Sequence, residues 1–208
     1  MTDDAELLTA WRAGDPGAGR ALFQRYFDQV SRFFINKVPH DHEDLIQETF
    51  AACVRGRDRL RSDAHFRSYL FGTAYNVLKK HYERNAGPRR PEELEQSAAE
   101  DLAPGPSTLL RNAERARQLL DALRKLPLEQ QVVLEMIYWE GMSSPEIGEM
   151  LGLSDATVRT RAHRGRARLM ELLAKAPGSE HGRPSSLDVE RLDAWAARVR
   201  DLMVAELG

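Results

Sequence analysis

Residues 144–169 read SPEIGEMLGLSDATVRTRAHRGRARL, and this stretch decides the fold class. Ser144-Pro145-Glu146 offers a capping hydroxyl, a proline suited to a first helical position and an acid for the first turn. A helix is therefore expected from there to Leu151, ended by Gly152. Ser154 caps a second helix, Asp155 to about Leu173, and only Gly152-Leu153-Ser154 separates the two, the spacing of a helix-turn-helix. On the second helix Val158, Ala162, Gly165 and Leu169 share one side at helical spacing. Thr157, Arg159, Thr160, Arg161, His163, Arg164, Arg166 and Arg168 lie off that side. Between Arg159 and Arg168 there are five arginines and no acid, whereas the whole chain carries a formal charge of −2, so the positive charge is local. A phosphate backbone matches it, and a guanidinium can also grip a guanine edge with two hydrogen bonds. Thr160 is small enough to let the helix approach a groove, and Arg164 is the expected base contact. The competing reading, a merely solvated arginine face, leaves the agreement of cap, turn and charge unexplained.

Around this segment the chain reads as all-α. Strand-like alternation is nearly absent, and apolar residues recur at i, i+3, i+4 spacing. The length of 208 residues suits two small domains, and 42% hydrophobic with 30% charged residues is too apolar for a disordered chain and too charged for a membrane protein. Cys53 is the single cysteine, which excludes a disulfide framework and a multi-thiolate metal site. The acidic start, Asp3-Asp4-Ala5-Glu6, is unlike a signal peptide, and no apolar run has the ~18 residues of a spanning helix. A cytoplasmic protein without membrane insertion is expected.

Upstream, helices are expected over Ala5–Ala13, over Leu22, Phe23, Tyr26, Val30, Phe33 and Phe34 up to Pro39, over about Asp41–Arg57, and over about Phe66–Arg84. These give a first domain, 1–85. Gly87-Pro88 and Pro104-Gly105-Pro106 bracket an aromatic-free acidic stretch, 86–108, that reads as a linker. The second domain is 109–175. A C-terminal extension, 176–208, begins with breakers and ends in an amphipathic stretch whose Leu192, Trp195, Val199 and Leu202 form one stripe.

The second block, from Leu126-Pro127 through Ser144-Pro145-Glu146-Ile147-Gly148 to Thr157-Val158-Arg159-Thr160-Arg161, resembles region 4 of extracytoplasmic-function (ECF) sigma factors. LuxR-type output domains carry a similar helix-turn-helix, and the first domain separates the two. Asp44-Leu45-Ile46-Gln47-Glu48-Thr49-Phe50 resembles the Asp-Leu-x-Gln-Glu-x-Phe signature of sigma region 2.2, and Phe66, Tyr69, Leu70, Phe71 and Asn76 resemble regions 2.3 and 2.4. The resemblance implies two helical domains, sigma region 2 and sigma region 4, joined by a flexible linker. It implies that Asp44, Gln47 and Glu48 bind core RNA polymerase, with Leu45 and Phe50 either joining that contact or belonging to the core. It assigns Leu60, Arg61, Asp63, Phe66, Asn76, Lys79 and Lys80 to the minus-10 DNA, where a flipped base needs stacking surface and edge hydrogen bonds. Thr157, Arg159, Thr160, Arg161, His163, Arg164 and Arg166 then meet the minus-35 duplex. The chain departs from the family at Leu60, where phenylalanine is frequent, at Tyr69, where tryptophan is usual, and at His163, where an aromatic or leucine is frequent. From the residues alone, Asp44 and Glu48 at i, i+4 near a helix start form an acidic face suited to a basic protein partner.

Core polymerase and promoter DNA are thus the expected partners, with an anti-sigma factor or the chain's own C-terminal helix as regulator. No phosphate-binding loop, nucleophile elbow or zinc-protease motif is present, so no enzyme activity and no cofactor is expected. His40-Asp41-His42-Glu43-Asp44 is read as a helix start with no metal, because adjacent side chains diverge. Two other functional classes remain open: a sigma-like mimic that titrates an anti-sigma factor, and a helix-turn-helix activator that never enters the polymerase.

Overall fold

The computed structural model describes residues 3–38, 40–57, 66–85 and 118–175. Its regular structure there is α-helical throughout: α1 (Asp4–Arg12), α2 (Pro16–Ile35), α3 (His42–Gly56), α4 (Phe66–Asn85), a helical stretch 118–124, α5 (Leu128–Tyr138), α6 (Ser144–Leu151) and α7 (Asp155–Ala174). The linker 86–108, residues 109–117 and the extension 176–208 lie outside the described residues, as do Leu60, Arg61 and Asp63. Contacts divide the chain into two compact units, Met1–Gly87 with Gly148–Leu153, and Pro88–Ile147 with Ser154–Gly208.

In the first unit α1 is held by a capping box, in which Asp3 and Glu6 satisfy each other's backbone amides. Gly14 adopts φ +102°, which ends α1, and Asp15 caps α2 at once by accepting from the Gly17 amide at 2.7 Å. Helix α2 therefore starts at Pro16, six residues before the apolar periodicity becomes visible at Leu22, because a proline at the first position completes an N-terminal signal. It stops at Ile35 rather than reaching Pro39, since the Lys37 and Val38 amides both turn back to the Phe34 carbonyl at 2.8 Å. Asp4 receives hydrogen bonds from Arg25 and the Tyr26 hydroxyl, tying α1 to α2. Burial pushes the Tyr26 hydroxyl pKa up, and the bond to Asp4 adds to it.

The core of this unit is aromatic: Phe33 packs edge-on against Phe34 at 5.2 Å and against Phe71 of α4 at 6.1 Å. The Lys37 ammonium lies 4.0 Å from the Phe33 ring centroid and donates to the Phe33 carbonyl at 2.8 Å, so this buried cation has both a π face and an acceptor. The Tyr69 hydroxyl of α4 rests over Gly56 of α3, 2.0 Å from where a Cβ would stand, so a larger residue there would displace the end of the tyrosine side chain. Cys53 is fully buried between these helices, and burial pushes its thiol up to about 12, only partly offset by the Thr73 hydroxyl. At pH 8 a thiol reagent is expected to leave native protein unlabelled and to modify Cys53 in 6 M guanidinium; labelling of the native protein at the rate of a free thiol would contradict this burial.

In the second unit Leu119, Leu123, Leu126, Leu134, Trp139 and Leu169 form the core, which joins the stretch 118–124, α5 and α7. The cap of α6 corrects the sequence reading. Its capping residue is Ser143, not Ser144: the Ser143 amide and hydroxyl both reach Glu146 Oε2, at 2.7 and 2.6 Å, and the Ile147 amide bonds the Ser143 carbonyl. The reason is spacing, because a capping box needs Ser and Glu three residues apart, which Ser143 and Glu146 satisfy and Ser144 does not. Urea unfolding of Ser143→Ala is expected to show a loss of about 1 kcal/mol, against roughly 0.5 kcal/mol or less for Ser144→Ala. Equal losses would contradict the assignment. The end of α6 is as read: Gly152 takes φ +68° and the Leu153 amide returns to the Gly148 carbonyl at 2.8 Å. Ser154 caps α7 by accepting from the Thr157 amide at 3.2 Å.

Candidate functional site

Helix α7 buries Val158, Ala162, Gly165 and Leu169, the four residues that the periodicity places on one side. The opposite side carries Arg159, Thr160, His163, Arg164 and Arg168, all exposed, with the small Ala156 and Ala167 among them. Those alanines flatten the centre of the face, so arginines at its edges straddle a surface shallow enough to enter a groove. Arg159 reaches Asp155 one turn back and Arg168 reaches Glu171, both pairs being surface contacts that a stronger phosphate partner can displace. Thr160 donates to the Ala156 carbonyl at 2.9 Å.

Three of the predicted residues are not on this face. Arg161 turns inward to Glu129 of α5, with the two side chains only 26% and 20% exposed. Arg166 donates to the Ala162 carbonyl at 3.2 Å and to the Tyr138 hydroxyl at 3.4 Å. The Thr157 hydroxyl is spent on Ser154 at 2.8 Å within the cap.

On α3 the acidic set divides in the same way. Asp44 and Gln47 are exposed and Glu48 is half-buried, pairing with Arg84 of α4 at 3.5 Å. Leu45 is 3% exposed and lies in the core stripe with Ile46, Thr49 and Cys53, the core alternative of the two open for it. Phe50 stands at an edge, 4.9 Å from the Phe23 ring and stacked at 6.2 Å on Phe27. Together with Trp11 and Val54 these rings line a groove between α2 and α3 that the sequence reading missed. Phe27 and Val54 are 50% and 52% exposed, the large apolar side chains most open to solvent among the described residues. Gln47 and Val54 lie seven residues apart on one stripe, so α3 presents an acidic N-terminal half continuous with an apolar C-terminal half. Phe27 sits four residues after Phe23 on α2, and that i, i+4 pair was the available signal.

On α4 the side chains of Asn76, Lys79 and Lys80 are exposed on one face at i, i+3, i+4. Phe66 is not with them. It is 1% exposed and packs edge-on against Tyr26 at 5.6 Å, within the core of this unit. Behind that face His81 approaches Asp41 at 3.9 Å, and burial pulls its pKa below the usual histidine value while Asp41 opposes the shift. No helix among the described residues is long and apolar enough to cross a membrane.

The described residues thus carry an arginine face on α7 and an acidic face on α3, far apart in the chain. Residues 22–87 match the Sigma-70 region 2 family and residues 116–169 match Sigma-70 region 4. Over 173 residues the chain is 32% identical to the ECF RNA polymerase sigma factor SigM of Mycobacterium tuberculosis, covering 82% of this chain and 84% of that one. It belongs to the ECF family of RNA polymerase sigma factors.

A further relative, the RNA polymerase sigma factor CarQ of Myxococcus xanthus, is 31% identical over 176 residues, 81% of this chain and 96% of that protein. The solved structure of CnrH in complex with the cytosolic domain of CnrY superimposes with a TM-score of 0.61 at 29% identity, covering 83% of this chain and 99% of CnrH. As an ECF sigma factor the chain is an alternative sigma factor that directs transcription initiation, binding core RNA polymerase and promoter DNA. The helices α2–α4 fall within the region 2 match from residue 22 onward, and α5, α6 and most of α7 fall within the region 4 match.

Proposed function

We propose that residues 1–85 act as the domain that docks on core polymerase and opens the minus-10 DNA, that 109–175 act as the domain that reads the minus-35 duplex, and that 86–108 link them. The observation that carries this reading is the one-sided distribution of charge on α7, where Arg159, Thr160, His163 and Arg164 share the exposed face of a capped helix. These four residues meet the base edges and phosphates of the minus-35 element. Asp44, Gln47 and Glu48 bind core polymerase, with Phe50 at the border of the adjoining apolar groove. Asn76, Lys79 and Lys80 face the minus-10 strand, and the resemblance assigns Leu60, Arg61 and Asp63 to the same DNA element. The chain supplies no catalytic group; bond formation belongs to the polymerase it recruits, in the cytoplasm.

CnrH is bound by the cytosolic domain of CnrY. By the same logic this chain is held by a regulatory protein partner, and the exposed groove of Phe23, Phe27, Phe50 and Val54 is the apolar surface it offers. The experiment is to mix the full chain with bacterial core polymerase on promoter DNA and probe thymines with permanganate. Reactive thymines confined to a minus-10 segment support the reading. Binding to duplex DNA without core and without reactive thymines would favour a simple helix-turn-helix activator.

A further inference from the structure

The five arginines of α7 do two different jobs. At 100° per residue the buried stripe Val158, Ala162, Gly165 and Leu169 has Arg161 on one flank and Arg166 on the other, each roughly 70° from its centre. Arg161 pairs with Glu129 in the first turn of α5, and Arg166 reaches Tyr138, the last residue of α5. Between these two contacts the helices nearly touch. A Cβ on Gly165 would stand 3.3 Å from Gln130 Cβ and 3.3 Å from Leu134 Cδ1, so the backbone of α7 lies directly on α5 there.

Val158 and Leu169 seat the two ends of the stripe, but at its middle Ala162 and Gly165 offer little side chain to resist rotation of the helix about its axis. With a side-chain radius of about 6 Å, a roll of about 20° moves an exposed guanidinium by roughly 2 Å, more than hydrogen-bond geometry tolerates. Pins on both flanks of the stripe oppose rolling in both senses.

We propose that Glu129 and Tyr138 are positioning residues for minus-35 recognition, which clamp Arg161 and Arg166 and so fix the roll of α7, and that these two arginines do not themselves contact DNA. The inference rests on region 4 reading the minus-35 duplex, and deepens it. Arg161 and Glu129 form one functional unit under it. Removing either side chain misaligns the same exposed face, whereas the arginines on that face act singly.

The test uses holoenzyme made from the full chain and bacterial core polymerase, on the fragments that the unsubstituted holoenzyme transcribes best from a genomic promoter library. Glu129→Gln and Arg161→Gln are each expected to weaken promoter binding by at least about fivefold, the lower limit for one misaligned bidentate base contact. The double variant is expected to be no weaker than either single one, because both remove the same pair. The slope of log affinity against log salt is expected to stay at the unsubstituted value in all three. The exchanged pair, Glu129→Arg with Arg161→Glu, is expected to recover binding to within about threefold, which also shows that the domain folds. If Glu129→Gln binds like the unsubstituted protein, or if Arg161→Gln lowers the salt slope by about 0.9, the signature of a lost phosphate contact, the clamp is wrong. If the exchanged pair is as weak as Arg161→Glu alone, it is wrong as well. Failure of the unsubstituted holoenzyme to select any promoter would instead overturn the assignment of region 4 itself.

Discussion

Alanine at Arg164 is expected to weaken promoter binding by about 5- to 150-fold, the 1–3 kcal/mol that one bidentate base contact contributes. Arg164 is exposed and, among the described residues, carries none of the ion pairs that engage Arg159, Arg161 and Arg168, so no such pair has to break before its guanidinium meets DNA. Its position four residues after Thr160, on the face flattened by Ala156 and Ala167, places it where α7 can lie lengthwise in a major groove. Two readouts distinguish a base contact from a general loss of charge. Base preference at one minus-35 position should relax, and the urea midpoint of the protein should stay unchanged because nothing buried is removed. An equal loss on every sequence, with a salt slope lower by about 0.9, would make Arg164 a phosphate contact instead.

Reversing the acids of α3, with Asp44→Lys and Glu48→Lys together, is expected to weaken core-polymerase binding by at least roughly 100-fold, since truncating one partner of a desolvated charge pair already costs 2–5 kcal/mol. Folding should survive. Asp44 is exposed, and the pair of Glu48 with Arg84 at 3.5 Å lies near the surface, where such pairs contribute about 1 kcal/mol or less. Lysine near a helix N-terminus adds a penalty of about the same size. A competition assay against unsubstituted protein for limiting core measures the effect. If the doubly reversed protein competes as well as the unsubstituted one, the acidic half of α3 is not the docking face, and the apolar groove beside it becomes the candidate.

Much of this was legible in the sequence wherever a signal is local. The buried stripe of α7, its Ser154 cap and the Gly152 terminus depend on residues within one or two turns of each other, and the structure has them as read, with Arg159, Arg164 and Arg168 on the exposed side. The Ser143 cap was also local but hidden by a pair of adjacent serines, and only the three-residue spacing to Glu146 separates them. Leu45 and Phe66 were drawn into binding surfaces by the family resemblance. Their own periodicity, Leu45 with Thr49 and Cys53, Phe66 with Leu70 and Ala74, already points to the core. The inward turn of Arg161 and Arg166 was not legible, because their partners lie on another helix; Tyr138 is 28 residues away in the chain. An arginine run looks uniform until the helix that packs against it is known. The apolar groove of Phe23, Phe27, Phe50 and Val54 likewise needs two helices to be seen side by side.

In the proposed division of labour one face of α3 recruits the polymerase while one face of α7 chooses the promoter. Transcription from a genomic promoter library by core polymerase alone, with the unsubstituted chain, and with the Arg164→Ala chain tests it. The unsubstituted chain is expected to yield transcripts from a defined promoter class sharing two spaced elements. Arg164→Ala is expected to yield a class whose upstream element is relaxed while the downstream one is kept. A promoter class unchanged by Arg164→Ala, or transcripts no different from those of core polymerase alone, would contradict it.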